Sequence, residues 1–234
     1  MSLRFLCLSI LLFITCSFSK PSVFENTSLL NIELADEDKI LSMYNIFNAS
    51  NSSMPQWSCF MIAVKGYEKL RVGGKIKNEK LTIIDFSLSS NEKRLWVLDM
   101  KSLKVLFHSV VAHGKNTGGE FASKFSNSNN SFQSSLGFYI TDNTYYGKNG
   151  LSLFLDGQEK GINCNARKRY VVFHGAKYAN PNFAKKNGRL GRSLGCPAVP
   201  TALNKAIINN IKEKSCLFIY HPSDSYIKMS SLVS

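Results

Sequence analysis

The chain has 234 residues, enough to bury one sizeable core but short for two large domains. Its hydrophobic fraction of 44% and charged fraction of 19% are those of a folded globular protein, and they exclude a disordered or fibrous chain. The formal net charge of +13, spread from Lys65 to Lys228, favours an anionic partner: nucleic acid, an anionic membrane or an anionic wall polymer.

At the N-terminus, Arg4 precedes a mostly apolar run from Phe5 to Phe18, and Ser17-Phe18-Ser19 puts small residues ahead of Lys20. The run is short for a membrane span and reads as a secretory signal over residues 1–19. It sends the chain to the periplasm or cell envelope. A lipidated Cys16 is the alternative, although Phe13-Ile14-Thr15 is not the small-residue run expected before such a Cys. No second long apolar run follows, so no transmembrane span is expected in the mature chain. Of the six cysteines, Cys7 and Cys16 fall in the signal, leaving Cys59, Cys164, Cys196 and Cys216. There is no CxxC pair, which argues against a zinc or dithiol redox site. Cys59 and Cys216 read as buried small hydrophobes.

Residues 20–55 are an N-terminal helix and linker. Asp36 caps a helix to about Phe47 with Ile40, Leu41, Tyr44 and Phe47 on one side, and residues 48–53 are polar. Pro55 suits the first turn of a second helix, from about 56 to 71, which carries Trp57, Phe60, Met61, Val64 and Leu70 on one face despite Gly66. The catalytic domain is expected over 56–234. From Leu81 the pattern turns to strands, at about 81–86, 94–99, 104–111, 136–141, 151–155, 169–174 and 216–220, with a hairpin turn at 99–104. A polar segment fills 112–135 and reads as a cleft-lining loop, with disorder at its Asn/Ser-rich tip as the alternative. A last helix runs from Thr201 to about Glu213. Seven strands with helices only at the ends predict a mostly β, α+β fold, a closed or sandwiched β core.

The chemistry concentrates between residues 170 and 200. His174-Gly175 ends an apolar run, and Cys196 follows 22 residues later between Gly195 and Pro197. A thiol nucleophile needs a base within reach, and one returning loop can bring a strand-end His to a Cys on a tight turn. Gly195 permits the turn, and backbone N–H groups there are candidates for holding an oxyanion. Between His174 and Cys196 there is no acidic residue, only Lys177, Lys185, Lys186, Arg189 and Arg192. The cationic loop is a candidate for lowering the Cys196 pKa, and Arg192 is the candidate for gripping a substrate carboxylate. His174 has no obvious acidic partner; a backbone carbonyl or a carboxylate such as Asp156 are the options. His113-Gly114 also ends a strand, as a lining or a structural residue. A metal at these positions would silence the thiol, so neither metal nor cofactor is expected.

These residues resemble a known family. His174-Gly175, followed by Gly191-Arg192-Ser193-Leu194-Gly195-Cys196-Pro197, looks like the active-site signature of the murein L,D-transpeptidases, in the form ending Gly-Arg-Ser-x-Gly-Cys-Pro. The likeness extends over roughly 56–221, through Val111-Ala112-His113-Gly114, Leu155-Asp156-Gly157 and Asn165-Ala166-Arg167. It implies an L,D-transpeptidase-like β-sandwich or barrel with peripheral helices. Cys196 would be the nucleophile, His174 its base, Gly195 the turn and oxyanion residue, and Gly175, Ser193, Arg192 and His113 the substrate side. It implies peptidoglycan stem peptides as partners, 3-3 cross-linking through an acyl-enzyme, and covalent inhibition by carbapenem-type β-lactams, with no role for nucleic acid. The commoner signature has a His where Leu194 stands, which leaves the acceptor open. An L,D-carboxypeptidase using water and a non-catalytic wall-binding protein are the alternatives; a papain- or sortase-like peptidase fits the His-to-Cys spacing poorly.

Overall fold

The computed structural model describes residues 23–49 and 53–233, so the signal segment and Cys16 lie outside the described residues. In chain order the elements are α1 (Val23–Ala49), α2 (Trp57–Val72), β1 (Lys80–Asp85), β2 (Leu95–Asp99), β3 (Lys104–Ser109), β4 (Gly137–Gly147), β5 (Gly150–Gly157), β6 (Val172–Gly175), α3 (Pro181–Asn187), β7 (Ala198–Val199), α4 (Thr201–Ile211), β8 (Cys216–Tyr220) and α5 (Asp224–Met229). No described helix is long and apolar enough to cross a membrane.

The chain divides between Asp38 and Lys39 into two compact units. The described part of the first is the opening of α1. The second runs from Lys39 to Ser234 and takes in the end of α1. The reason is packing: Phe47 is fully buried and meets Phe60 edge-on at 5.9 Å, while the Tyr44 hydroxyl donates to the Pro55 carbonyl at 2.9 Å. Ile40 is buried with them, whereas Leu41 points outward and is 45% exposed, against the expectation that it shares their face.

Among the described residues eight strands, not seven, form one sheet in the order β3-β2-β1-β8-β4-β5-β6-β7. Within it β1–β8 and β6–β7 pair in parallel. The missed strand, β7, has two residues, too short to show any periodicity. Likewise β4 continues past Thr141 to Gly147 and turns back through Lys148-Asn149 into β5, with Gly150 at φ +74, the left-handed geometry an Asn-Gly turn supplies. The chain beyond β3 closes the sheet: Ala112 and Ala198 exchange backbone hydrogen bonds of 2.8 and 3.2 Å. The result is a mostly β, nearly closed barrel, and its seam lies between the chain after β3 and β7.

Two helices cover the sheet. α2 meets β1 and β8, and α4 meets β6, β5 and β1, burying Ile207, Ile208 and Ile211. Cys59 and Cys216 are both buried free thiols. Gly66 lets α2 close on the sheet, because a Cβ there would lie 2.1 Å from the Phe138 ring, which is stacked on Phe218 at 4.2 Å. Gly66→Ala would gain about 1 kcal/mol of helix propensity. Forcing the locked Phe138 ring aside costs about 1–3 kcal/mol. A net loss of about 1 kcal/mol is expected, read as a lower urea midpoint; a raised midpoint would show that the ring yields freely.

Candidate active site

The backbone groups that meet the Cys196 thiol come from one stretch of chain, 169–174, laid beside the turn that carries it. β6 pairs with β7 so that His174 stands opposite Ala198. The Val172 N–H points at the Cys196 Sγ at 3.4 Å, and the thiol in turn reaches the Tyr170 carbonyl at 3.6 Å. Tyr170 has φ +53, a left-handed conformation costly for a bulky residue. The Nδ1 of the buried His174 lies 3.0 Å from the Gly175 carbonyl. A carbonyl only accepts, so Nδ1 carries the proton and Nε2 keeps its lone pair. The orienting group is thus a backbone carbonyl. Asp156 is engaged elsewhere, with the Arg167 guanidinium at 2.7 and 3.0 Å.

The turn is held by its own serine. The Ser193 hydroxyl donates to the Cys196 carbonyl at 2.6 Å and accepts from the Gly195 N–H at 3.0 Å. Gly195 has φ +127, and a Cβ there would meet the Gln133 carbonyl at 2.8 Å. Its N–H is used inside the turn, and Pro197 has none, so the N–H of Cys196 is a candidate oxyanion donor at this turn. Ser134 bridges the seam, its hydroxyl donating to the Gly195 carbonyl at 3.0 Å and accepting from the Gly114 N–H at 3.1 Å. The 112–135 segment therefore lies against the Cys196 turn, as a lining loop would.

Other candidates are placed differently. Gly175 is buried, and a Cβ there would meet Asn204 at 2.9 Å, so it serves packing beneath the base. Arg192 is exposed and donates to the Lys115 and Gly118 carbonyls at 3.0 and 2.9 Å, stapling the start of the loop. His113 is buried, with Nδ1 accepting from Arg94 Nη2 at 2.8 Å and Nε2 within 3.4 Å of the Gly118 carbonyl, so neither ring nitrogen is left for a ligand. Burial, then the Arg94 charge, pull its pKa down to about 4. Leu194, at the position where the commoner signature has His, is 61% exposed beside the thiol. Among the described residues no three His, Cys, Asp or Glu side chains are grouped to hold a metal ion.

The Cys196 thiol contacts the Val172 N–H and the Tyr170 carbonyl and makes no hydrogen bond to the His174 ring, and near pH 7 both groups rest uncharged. Burial pushes the Cys196 thiol up, opposed by the Val172 N–H and the Arg169 charge. Burial lowers the His174 pKa, opposed by its bond to the Gly175 carbonyl. A base must be neutral to accept a proton, and His174 stays neutral down to its lowered pKa. The acid limb of kcat/KM against pH is therefore expected below the ordinary histidine value of 6.5. A limb at or above 6.5 would contradict the burial of the free imidazole.

With this geometry in hand, comparison with known proteins gives the class. A family model described as the L,D-transpeptidase catalytic domain matches residues 51–220, most of the chain. The protein belongs to the L,D-transpeptidase catalytic domain family. Among solved structures, it is similar to an L,D-transpeptidase from Mycobacterium smegmatis, at 12% identity and TM-score 0.38, covering 61% of this chain and 59% of that one. It is similar also to the helical cell shape determining protein of Campylobacter jejuni, at 10% identity and TM-score 0.41, covering 73% and 58%. A third is an L,D-transpeptidase in complex with imipenem, at 10% identity and TM-score 0.37, covering 61% and 59%. The chain thus spans about three-fifths of these proteins' length. No curated protein matches it.

One residue at the site escaped the sequence reading. The cation acting on Cys196 is Arg169, at the start of the stretch that carries the base, and not a member of the loop between His174 and Cys196. Its signal was only its place, five residues before His174 at the edge of an apolar run, where an arginine usually caps a strand in solvent.

Proposed function

We propose that the protein is an exported cysteine acyl-transferase acting on peptidoglycan stem peptides, an L,D-transpeptidase that forms 3-3 cross-links. The observation that carries this reading is the Cys196 turn packed beside strand β6, whose His174 has its Nδ1–H tied to a carbonyl and Nε2 unprotonated. Membership of the L,D-transpeptidase catalytic domain family supplies the substrate class.

The thiol now rests on Val172 and Tyr170, so it turns toward His174, directly or through a water, and gives its proton to Nε2. Sulfur attacks the amide carbon after the diamino acid at stem position three. The Cys196 N–H faces the oxygen that gains charge. Imidazolium then protonates the leaving amine of the terminal D-Ala, the C–N bond breaks, and a thioester remains. The amine of a second stem repeats the sequence in reverse, forming the new amide and restoring the thiol. Carbapenem-type β-lactams, as strained amide mimics, acylate the same sulfur.

The test is incubation of the mature protein with defined tetrapeptide muropeptides and mass analysis of the products. A cross-linked dimer lacking one D-Ala supports the transpeptidase. Tripeptide monomers alone identify an L,D-carboxypeptidase using water on the same acyl-enzyme. Unchanged muropeptides that still bind the protein would leave a wall-binding role in its place.

A further inference from the structure

We propose that Arg169 is the positioning residue of this site: its charge faces the Gly195-Cys196 turn while its guanidinium ties the 126–135 segment to that turn. This rests on the reading of Cys196 as the nucleophile. Arg169 Nη1 donates to the Ser126 carbonyl at 2.7 Å and the Ser135 hydroxyl at 2.6 Å. Nη2 donates to the Ser131 hydroxyl at 3.0 Å and the Gln133 carbonyl at 2.7 Å. The same Nη2 would lie 3.5 Å from a Cβ on Gly195, and the Gln133 carbonyl 2.8 Å from it. One guanidinium therefore grips both ends and the middle of a serine-rich loop and sets it against the residue before the nucleophile. A lysine, with one nitrogen, cannot hold four acceptors in this planar arrangement.

The charge has a second consequence. None of the four acceptors is a carboxylate, so the cation is hydrogen-bonded without being neutralised. Cys196, the residue after Gly195, gains negative charge in the reaction, and Arg169 opposes the rise that burial imposes on its thiol. Arg169 needs no contact with substrate for either effect. Arg192, the more obvious arginine in the sequence, acts on His113 instead.

The test reads the thiol directly and uses no substrate. In a Cys164→Ser background, which removes the exposed thiol, the rate of iodoacetamide alkylation at Cys196 is followed against pH by peptide mass. Arg169→Gln is expected to slow alkylation about tenfold near pH 7–8, with the wild-type plateau regained at high pH. Arg169→Lys keeps the charge and is expected to stay within about threefold of wild type. Both variants should show faster hydrogen exchange in 126–135. A folded Arg169→Gln protein with the wild-type pH profile, or an Arg169→Lys protein as slow as the Gln variant, overturns the proposal. If Arg169→Gln does not fold, Arg169→Lys alone decides, on the same threefold against tenfold criterion. Failure of the muropeptide assay would count against the transpeptidase reading and leave this profile intact.

Discussion

Cys196→Ala is expected to abolish carbapenem acylation and muropeptide turnover, a fall of at least about 10⁴-fold, while the protein stays folded. Alanine keeps the turn, because the Ser193 hydroxyl bonds to the backbone on either side and not to the sulfur. The melting temperature should therefore change little. Intact-protein mass after incubation with a carbapenem reads the result: one adduct in wild type, localised to Cys196 by peptide mass, and none in the variant. The control lies in the same chain. Cys164 is exposed, and hydrogen bonds from the Gly161 N–H and the Asn127 amide lower its pKa. A simple alkylating reagent therefore meets a more nucleophilic thiol at Cys164 than at Cys196, whose thiol burial pushes the other way. If reactivity toward β-lactams followed thiolate content alone, the adduct would sit on Cys164 and survive Cys196→Ala. An adduct that survives would sink the assignment of the nucleophile.

Arg94→Ala is expected to give the largest loss of stability, about 3–5 kcal/mol, or about 10 °C in melting temperature. Arg94 is fully buried. Its guanidinium donates twice to the Val111 carbonyl, at 3.1 and 2.9 Å, once to the Leu88 carbonyl at 2.8 Å, and to His113 Nδ1 at 2.8 Å. Val111 and His113 lie where the chain leaves β3 to close the barrel against β7, and Leu88 lies in the connection between β1 and β2. Removing Arg94 strands buried acceptors at about 1–3 kcal/mol each and leaves a cavity. One effect opposes this: burial already pulls the Arg94 pKa down to about 9, so the charge itself is held at a cost that alanine relieves. The stranded acceptors outweigh that relief because they cannot reach water once the barrel is closed. Arg94→Lys should fall between, keeping one or two of the bonds. A denaturant midpoint for Arg94→Ala equal to that of wild type would show that the seam is held by its strands alone.

Most of the regular structure was legible in the chain. The strands at 81–86, 94–99 and 216–220 announced themselves by dense β-branched and aromatic runs, and all lie within a residue of β1, β2 and β8. α2 and α4 showed their apolar faces. What was misread follows a pattern. β7 has two residues, α3 seven and α5 six, lengths at which periodicity carries no information. The far half of β4 is largely exposed and polar, Asp142-Asn143-Thr144, and its pairing with β5 overrides its composition.

The site divides the same way. A His-Gly at the end of an apolar run and a Cys in a Gly-Pro turn were enough to name the nucleophile and base as candidates, because both roles demand those chemical types at those local conformations. Local sequence also made the turn: only glycine adopts φ +127 with ease, and Ser193 stands two residues before Gly195 to cap it. The carbonyl beside His174 and the N–H groups of the Cys196 turn are set by near neighbours, Gly175 and Ser193, but which arginine among many acts on the thiol depends on how distant parts of the chain come together. Ser134 and Arg169 reach the Gly195 turn from separate stretches, while Arg94 holds the chain after β3 where it closes on β7. A sequence states the type of each side chain and its local backbone preference. The distances and burial that tune a thiol and a buried imidazole exist only after the barrel shuts.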